Sequence, residues 1–272
     1  MSRLSRRLRA IKARGEKAMG LFLTGGFPSP AATGPLLHAV DAAGADFLEL
    51  GMPHSDPLAE GLPIQRSSAR ALDHGIRMKD ILRMAAAFRA RSDTPLLLMG
   101  YVNPILQYGM GNFCRDAWSS GVDGLIVADL PPEEGYLLES LAAEHGLDLV
   151  YLIAPNTPND RVRHIDARSS GFVYAVSVTG ITGVGLDQRL EMVESYLERV
   201  GGLVKHNPVM VGFGIKTHTD AARLTKHTDG FIVGSALVDL IETLWSDETL
   251  HTETRVAQIW EFVKSLKVKQ HE

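Results

Sequence analysis

Cysteine is almost absent: Cys114 is the only one among 272 residues. A single thiol excludes an intrachain disulfide and any zinc site built on paired cysteines. It suits a reducing, cytoplasmic setting. Long apolar runs are missing too. No stretch approaches the roughly 18 consecutive apolar residues that a membrane-spanning helix needs. There is no excess of positive charge, since 28 Lys and Arg stand against 32 Asp and Glu for a net charge of −4. Nucleic acid is therefore not the expected partner. His54 lies near Asp56, but the other nine histidines show no ligand spacing with them, so no metal site is expected. No linker, low-complexity tract or shift of composition divides the chain. One domain spanning residues 1–272 is the expectation.

What is present begins with a basic N-terminus, carrying Arg3, Arg6, Arg7, Arg9, Lys12 and Arg14. It lacks the apolar core of a secretory signal. Arg-rich amphipathic starts also occur in organelle transit peptides, but Leu4, Leu8 and Ile11 fall on one face of a helix. A helix docked on the fold accounts for that face.

Beyond it, short apolar runs alternate with helical patterns. The runs lie at 20–24, 46–51, 95–99, 124–129, 148–154, 171–177, 208–213 and 230–233. Helical periodicity is read at 31–43, within 64–92, and at 112–119, 187–204 and 218–226. Pro131-Pro132-Glu133-Glu134 reads as another helix start. A terminal amphipathic helix carries Val256, Ile259, Trp260, Val263 and Leu266. Nearly continuous apolar strands indicate a parallel sheet buried on both faces. Eight β/α units in this length predict a closed (β/α)8 TIM barrel with an extra N-terminal helix. The alternative is an open doubly wound sheet. That fold usually carries a glycine-rich dinucleotide turn after its first strand, and Gly25-Gly26-Phe27-Pro28 does not match one.

In such a barrel the C-terminal strand ends converge on one face. Glu49, Tyr101, Asp129, Tyr174, the 180–185 loop, Gly214 and Gly234-Ser235 would meet there. Glu49 sits inside the apolar run Phe47-Leu48-Glu49-Leu50, where a carboxylate is costly without a partner or a task. Two readings stand: proton transfer, or a buried hydrogen-bond network. The glycines after strands six and seven, with Gly234-Ser235 at a helix start, can present backbone N–H groups to a phosphate. Lys216 could form a Schiff base, although a solvated surface lysine is the commoner case.

These residues carry a family resemblance. Leu48-Glu49-Leu50-Gly51 with Pro53, Ser55-Asp56-Pro57-Leu58-Ala59 and Ile64-Gln65 resembles the signature of the tryptophan synthase alpha chain family. So do Tyr101-x-Asn103-Pro104, Ala128-Asp129-Leu130-Pro131, Ser177-Val-Thr-Gly180-Ile-Thr182-Gly183, Gly212-Phe213-Gly214-Ile215 and Gly234-Ser235. The matches run in order from about residue 20 to 240. The resemblance implies a lyase that cleaves indole-3-glycerol phosphate to indole and glyceraldehyde 3-phosphate by a retro-aldol step, late in tryptophan biosynthesis. It implies no metal or organic cofactor on this chain. Pyridoxal phosphate is expected only on a partner beta chain, within an alpha2beta2 tetramer. Contact with that partner would run through 53–57, 103–109 and 131–132.

By resemblance, Glu49 is the acid/base and Glu60 holds the indole N–H. The family's residue at position 60 is an aspartate, and position 54 usually holds phenylalanine where His54 stands here. Thr182 would close over the substrate. Phe22, Met99, Tyr101, Ile126, Ala128, Leu152, Tyr174, Phe213 and Ile232 match the indole pocket; for the apolar members, ordinary barrel core is the alternative. Gly183, Phe213, Gly214, Gly234 and Ser235 match the phosphate site. Two further readings remain: a stand-alone enzyme of the same fold, and a weakly active paralogue that activates the beta chain.

Overall fold

Every apolar run becomes a strand, and every pairing between strands is parallel. The computed structural model describes residues 1–176, 186–212 and 214–267, without the side chains of 186–190. Its strands are β1 (Ala18–Thr24), β2 (Phe47–Gly51), β3 (Leu96–Gly100), β4 (Gly124–Val127), β5 (Asp148–Val150), β6 (Leu152–Ile153), β7 (Val173–Val176), β8 (Val209–Gly212) and β9 (Gly230–Val233). They lie in the order β5-β4-β3-β2-β1-β9-β8-β7-β6. The two end strands, β5 and β6, are separated in sequence by Tyr151 alone. They form one strand in two steps, pairing with β4 on one side and with β7 on the other. The sheet thus closes into an eight-stranded barrel, and the open-sheet alternative fails.

Two connections differ from the sequence reading. Val102–Tyr108 is a helix that the sequence reading does not identify. Pro104 falls in its first turn, where the missing N–H costs nothing. After β4, the Pro132–Leu137 segment is a 3₁₀ turn, and an α-helix follows only at Glu139–Glu144. Gly135 lies so near Tyr151 that a Cβ there would sit 2.1 Å from the Tyr151 hydroxyl.

The basic N-terminus is a helix, Arg3–Ala13, that buries Leu4, Leu8 and Ile11. It docks at the end of the barrel where strands begin. Asp46, Asp123 and Asp229 precede β2, β4 and β9, and Asp148 opens β5. Three of them accept a backbone N–H from the adjoining strand: Asp46 from Met19 at 3.0 Å, Asp123 from Leu96 at 2.9 Å, Asp229 from Val209 at 2.9 Å. The helix supplies their counter-charges. Arg3 pairs with Asp123 at 2.5 Å, Arg7 with Asp46 at 3.0 Å and Lys12 with Asp229 at 2.9 Å. The Ser2 hydroxyl donates to Asp148. The arginine-rich start therefore completes the barrel floor.

Packing inside the wall depends on one glycine in particular. Phe22 and Glu49 are neighbours in register across β1 and β2. The Phe22 ring lies over Gly51, where a Cβ would come within 2.5 Å of it.

Candidate active site

At the opposite end of the barrel a cavity opens between β1, β2, β3, β7 and β9. Phe22, Glu49, Met99, Tyr174 and Ile232 line it from the wall. Glu60 and Ile64 enter from the segment after β2, Gly214, Ile215 and Lys216 from the segment after β8, and Gly234, Ser235 and Ala236 from the turn after β9.

Glu49 is held by its strand. Its backbone is part of the β2 ladder, and the residue is 0% exposed. Neither of its carboxylate oxygens has a hydrogen-bond partner among the described residues. Among the described residues no hydrogen-bond network holds the Glu49 carboxylate. Burial, aided by the charge of Glu60, pushes its pKa up to about 8.

Glu60 reaches the same cavity from a loop. The loop starts where Gly51 and Pro53 end β2, and it ends at Gly61, the N-cap of the helix Leu62–Asp73. Three contacts fix its end: the Ala59 N–H donates to the Tyr101 hydroxyl at 3.1 Å, the Glu60 N–H to the Pro57 carbonyl at 3.1 Å, and the Gln65 amide to the Glu60 carbonyl at 2.8 Å. The carboxylate has one buried oxygen with no hydrogen-bond partner among the described residues. Burial pushes the pKa of Glu60 up to about 7. The extra methylene of glutamate does not carry the acid away from the cavity.

Both acids are thus held above the ordinary carboxylate range within one pocket. In the same lining, Gly214 takes φ +79°, and Gly234 caps the helix Ser235–Ser246. The first N–H groups of that helix have no carbonyl of an earlier turn to bond, and its dipole favours an anion there.

The cavity thus gathers Phe22, Glu49, Glu60, Met99, Tyr174, Gly214, Ile232, Gly234 and Ser235 from the residues expected at the site. Four other expected residues, Tyr101, Ile126, Ala128 and Leu152, are not in its lining; Ala128 and Leu152 line another cavity with Asp129. Ile126 is wholly buried in β4, outside the cavity lining. Tyr101, beyond the end of β3, supports the Glu60 loop rather than lining the cavity. Thr182, Gly183 and Phe213 lie outside the described residues. Ile64, Ile215, Lys216 and Ala236 line the cavity too; in the sequence Ile64 and Ile215 stand out only within motifs, Lys216 only as a possible Schiff base, and Ala236 not at all. His54 stacks on Tyr101, with ring centroids 4.8 Å apart and planes at 25°. Among the described residues no group of His, Cys, Asp and Glu could hold a metal ion.

Residues 8–270 match the family model for the tryptophan synthase alpha chain. The chain belongs to the tryptophan synthase alpha chain family. The alpha chain of Granulibacter bethesdensis is 43% identical over 270 residues, covering 98% of this chain and 95% of that one. The crystal structure of tryptophan synthase subunit alpha from Legionella pneumophila superposes with a TM-score of 0.87 at 37% identity, covering 98% of both chains. A chain of the tryptophan synthase complex from Pyrococcus furiosus superposes with a TM-score of 0.80 at 35% identity, covering 92% of this chain and 98% of that one. The alpha chain fold thus places Glu49 and Glu60 in a single pocket.

Proposed function

We propose that this alpha chain cleaves indole-3-glycerol phosphate into indole and glyceraldehyde 3-phosphate, with Glu49 and Glu60 as its working acids. The observation that carries this reading is the pair of buried carboxylates facing one apolar cavity into which a helix N-terminus also opens. Phe22, Ile64, Met99 and Ile232 offer the indole ring an apolar bed. The phosphate belongs at Gly214, Gly234 and Ser235, with Thr182, Gly183 and Phe213 as further proposed contacts.

The chemistry follows from the two ionisation states. Protonated Glu49 delivers its proton to indole C3, which leaves positive charge toward the ring nitrogen. Ionised Glu60 accepts the ring N–H and stabilises that charge. The Glu49 carboxylate then takes the proton of the glycerol hydroxyl next to the scissile bond. The C–C bond breaks, its electron pair returns to the ring, and the aldehyde leaves. Glu49 ends protonated again, and no external oxidant or reductant is consumed. In this reading the chain needs no cofactor of its own.

The partner is a tryptophan synthase beta chain, which carries the pyridoxal phosphate. Leu58, Leu62 and Leu106 are 81%, 69% and 49% exposed, within or beside the segments expected to meet it. Exposed apolar side chains grouped this way suit a protein interface. The buried, unpaired Cys114 suits a cytoplasmic setting for the complex.

The test supplies purified chain with indole-3-glycerol phosphate, with and without a beta chain, and measures free indole. Slow release alone, strong activation by the partner, and near-complete loss in Glu49→Gln are expected. Wild-type rates in Glu49→Gln would refute the role given to Glu49. Intact beta-chain binding with no indole in either case would instead identify the weakly active paralogue.

A further inference from the structure

We propose that Lys216 is the counter-ion for the substrate's phosphate and sets the direction in which the substrate enters. The inference rests on the lyase reading above and adds to it a residue that the phosphate-site resemblance does not include.

The cavity lining holds two carboxylates, Glu49 and Glu60, and one basic side chain, Lys216. A phosphorylated substrate could in principle enter with either end first. Phosphate placed beside the acids would meet like charge in a site that water screens poorly. Phosphate placed between Lys216 and the Ser235 helix start would meet an ammonium and free N–H groups. The charge arrangement therefore selects the orientation that brings the ring to the acids.

The backbone of Lys216 is held for this task. Ile215, on its N-terminal side, is buried. The Lys216 N–H donates to the Asp220 carboxylate at 3.1 Å, and the Thr217 N–H donates to the same oxygen at 2.9 Å. The Thr217 hydroxyl accepts from the Asp220 N–H at 3.2 Å. This reciprocal cap begins the helix His218–Leu224. It commits Asp220 to backbone donors. The Lys216 ammonium enters no ion pair among the described residues. A fixed backbone and an ammonium that no ion pair among the described residues engages, in the lining of this cavity, fit an anionic ligand better than a role in stability.

The deciding experiment compares wild type, Lys216→Met and Lys216→Arg in two measurements: calorimetric binding of glycerol 3-phosphate, and steady-state cleavage of indole-3-glycerol phosphate. In Lys216→Met the dissociation constant and KM should each rise about tenfold, in the range of a partly exposed charge-assisted contact. kcat and the melting temperature should stay near wild type. Lys216→Arg should recover most of the affinity. Raising the salt concentration should weaken wild-type binding more than that of Lys216→Met. Unchanged glycerol 3-phosphate affinity in Lys216→Met, in a wild type that cleaves the substrate, overturns the role of Lys216 alone. A wild-type chain that neither binds glycerol 3-phosphate nor releases indole overturns both proposals.

Discussion

The Tyr101 hydroxyl accepts the backbone N–H of Ala59 at 3.1 Å, and so fixes the residue immediately before Glu60. Tyr101 is itself buried and stacked under His54. Burial and the nearby charge of Glu60 both push the Tyr101 pKa up, so the group stays a neutral phenol. Tyr101→Phe removes the acceptor while keeping the ring. We expect kcat to fall about tenfold, the scale on which small misplacements of catalytic groups act, with KM nearly unchanged. His54→Ala should give a smaller loss, since a ring contact contributes about 0.5–1.5 kcal/mol. His54→Phe preserves the stack and should behave as wild type. Wild-type rates in Tyr101→Phe and His54→Ala would show that the loop needs neither the hydroxyl nor the His54 ring.

Burial of Glu49 makes a prediction about stability. Its folded-state pKa of about 8 lies above the ordinary 4.5. The folded chain keeps a proton that the unfolded chain releases above about pH 4.5. Stability therefore falls as pH rises from about 4.5 to about 8, and this contribution is flat beyond. Glu49→Gln removes that slope. Urea unfolding should show the variant more stable than wild type by roughly 2–4 kcal/mol at pH 8, and by much less at pH 5. An equal difference at both pH values would mean that Glu49 is not buried as a neutral acid.

The same pair shapes the rate. Activity requires Glu60 ionised and Glu49 protonated, so kcat/KM should follow a bell with apparent limbs near the pair's values of about 7 and about 8. A profile flat from pH 6 to 9 would contradict the division of roles. Glu60→Asp tests reach. The loop backbone is tied at Ala59 and at the Glu60 carbonyl, so it cannot advance to compensate for a lost methylene. A drop of about tenfold in kcat is expected.

Much of this arrangement can be read before any coordinates. A carboxylate inside Phe47-Leu48-Glu49-Leu50 is conspicuous because burial of an acid is costly, and Gly234-Ser235 sits at a helix start by simple periodicity. What resists reading is which way a side chain faces. Strands buried on both sides carry no alternation, so Met99 and Ile126, partners across β3 and β4, look equivalent although only Met99 lines the cavity. Lys216 was ambiguous for a different reason. A lysine on a loop looks merely solvated until the chain's path puts it in one cavity lining with Ser235. The Val102–Tyr108 helix was concealed by a proline that a first turn tolerates.

The N-terminal helix should matter for stability and not for catalysis, because it docks at the end of the barrel opposite the acids. Leu8→Ala deletes a buried side chain and should cost about 2–4 kcal/mol. Arg7→Ala loses a half-exposed partner of Asp46 and should cost about 1 kcal/mol or less. Thermal melts should rank the two in that order, with kcat/KM unchanged in both at a temperature where each is folded. A fall in kcat/KM for folded Leu8→Ala would show that the barrel floor and the cavity are mechanically coupled.

The Phe22 ring resting over Gly51 joins the histories of two positions. A side chain at 51 would drive that ring into the space where the indole is proposed to lie, so neither position can grow or shrink alone without penalty. Descendants of this chain that acquire bulk at 51 should have surrendered it at 22. The size of the molecule accepted in the pocket would then drift with the pair, and not with either residue.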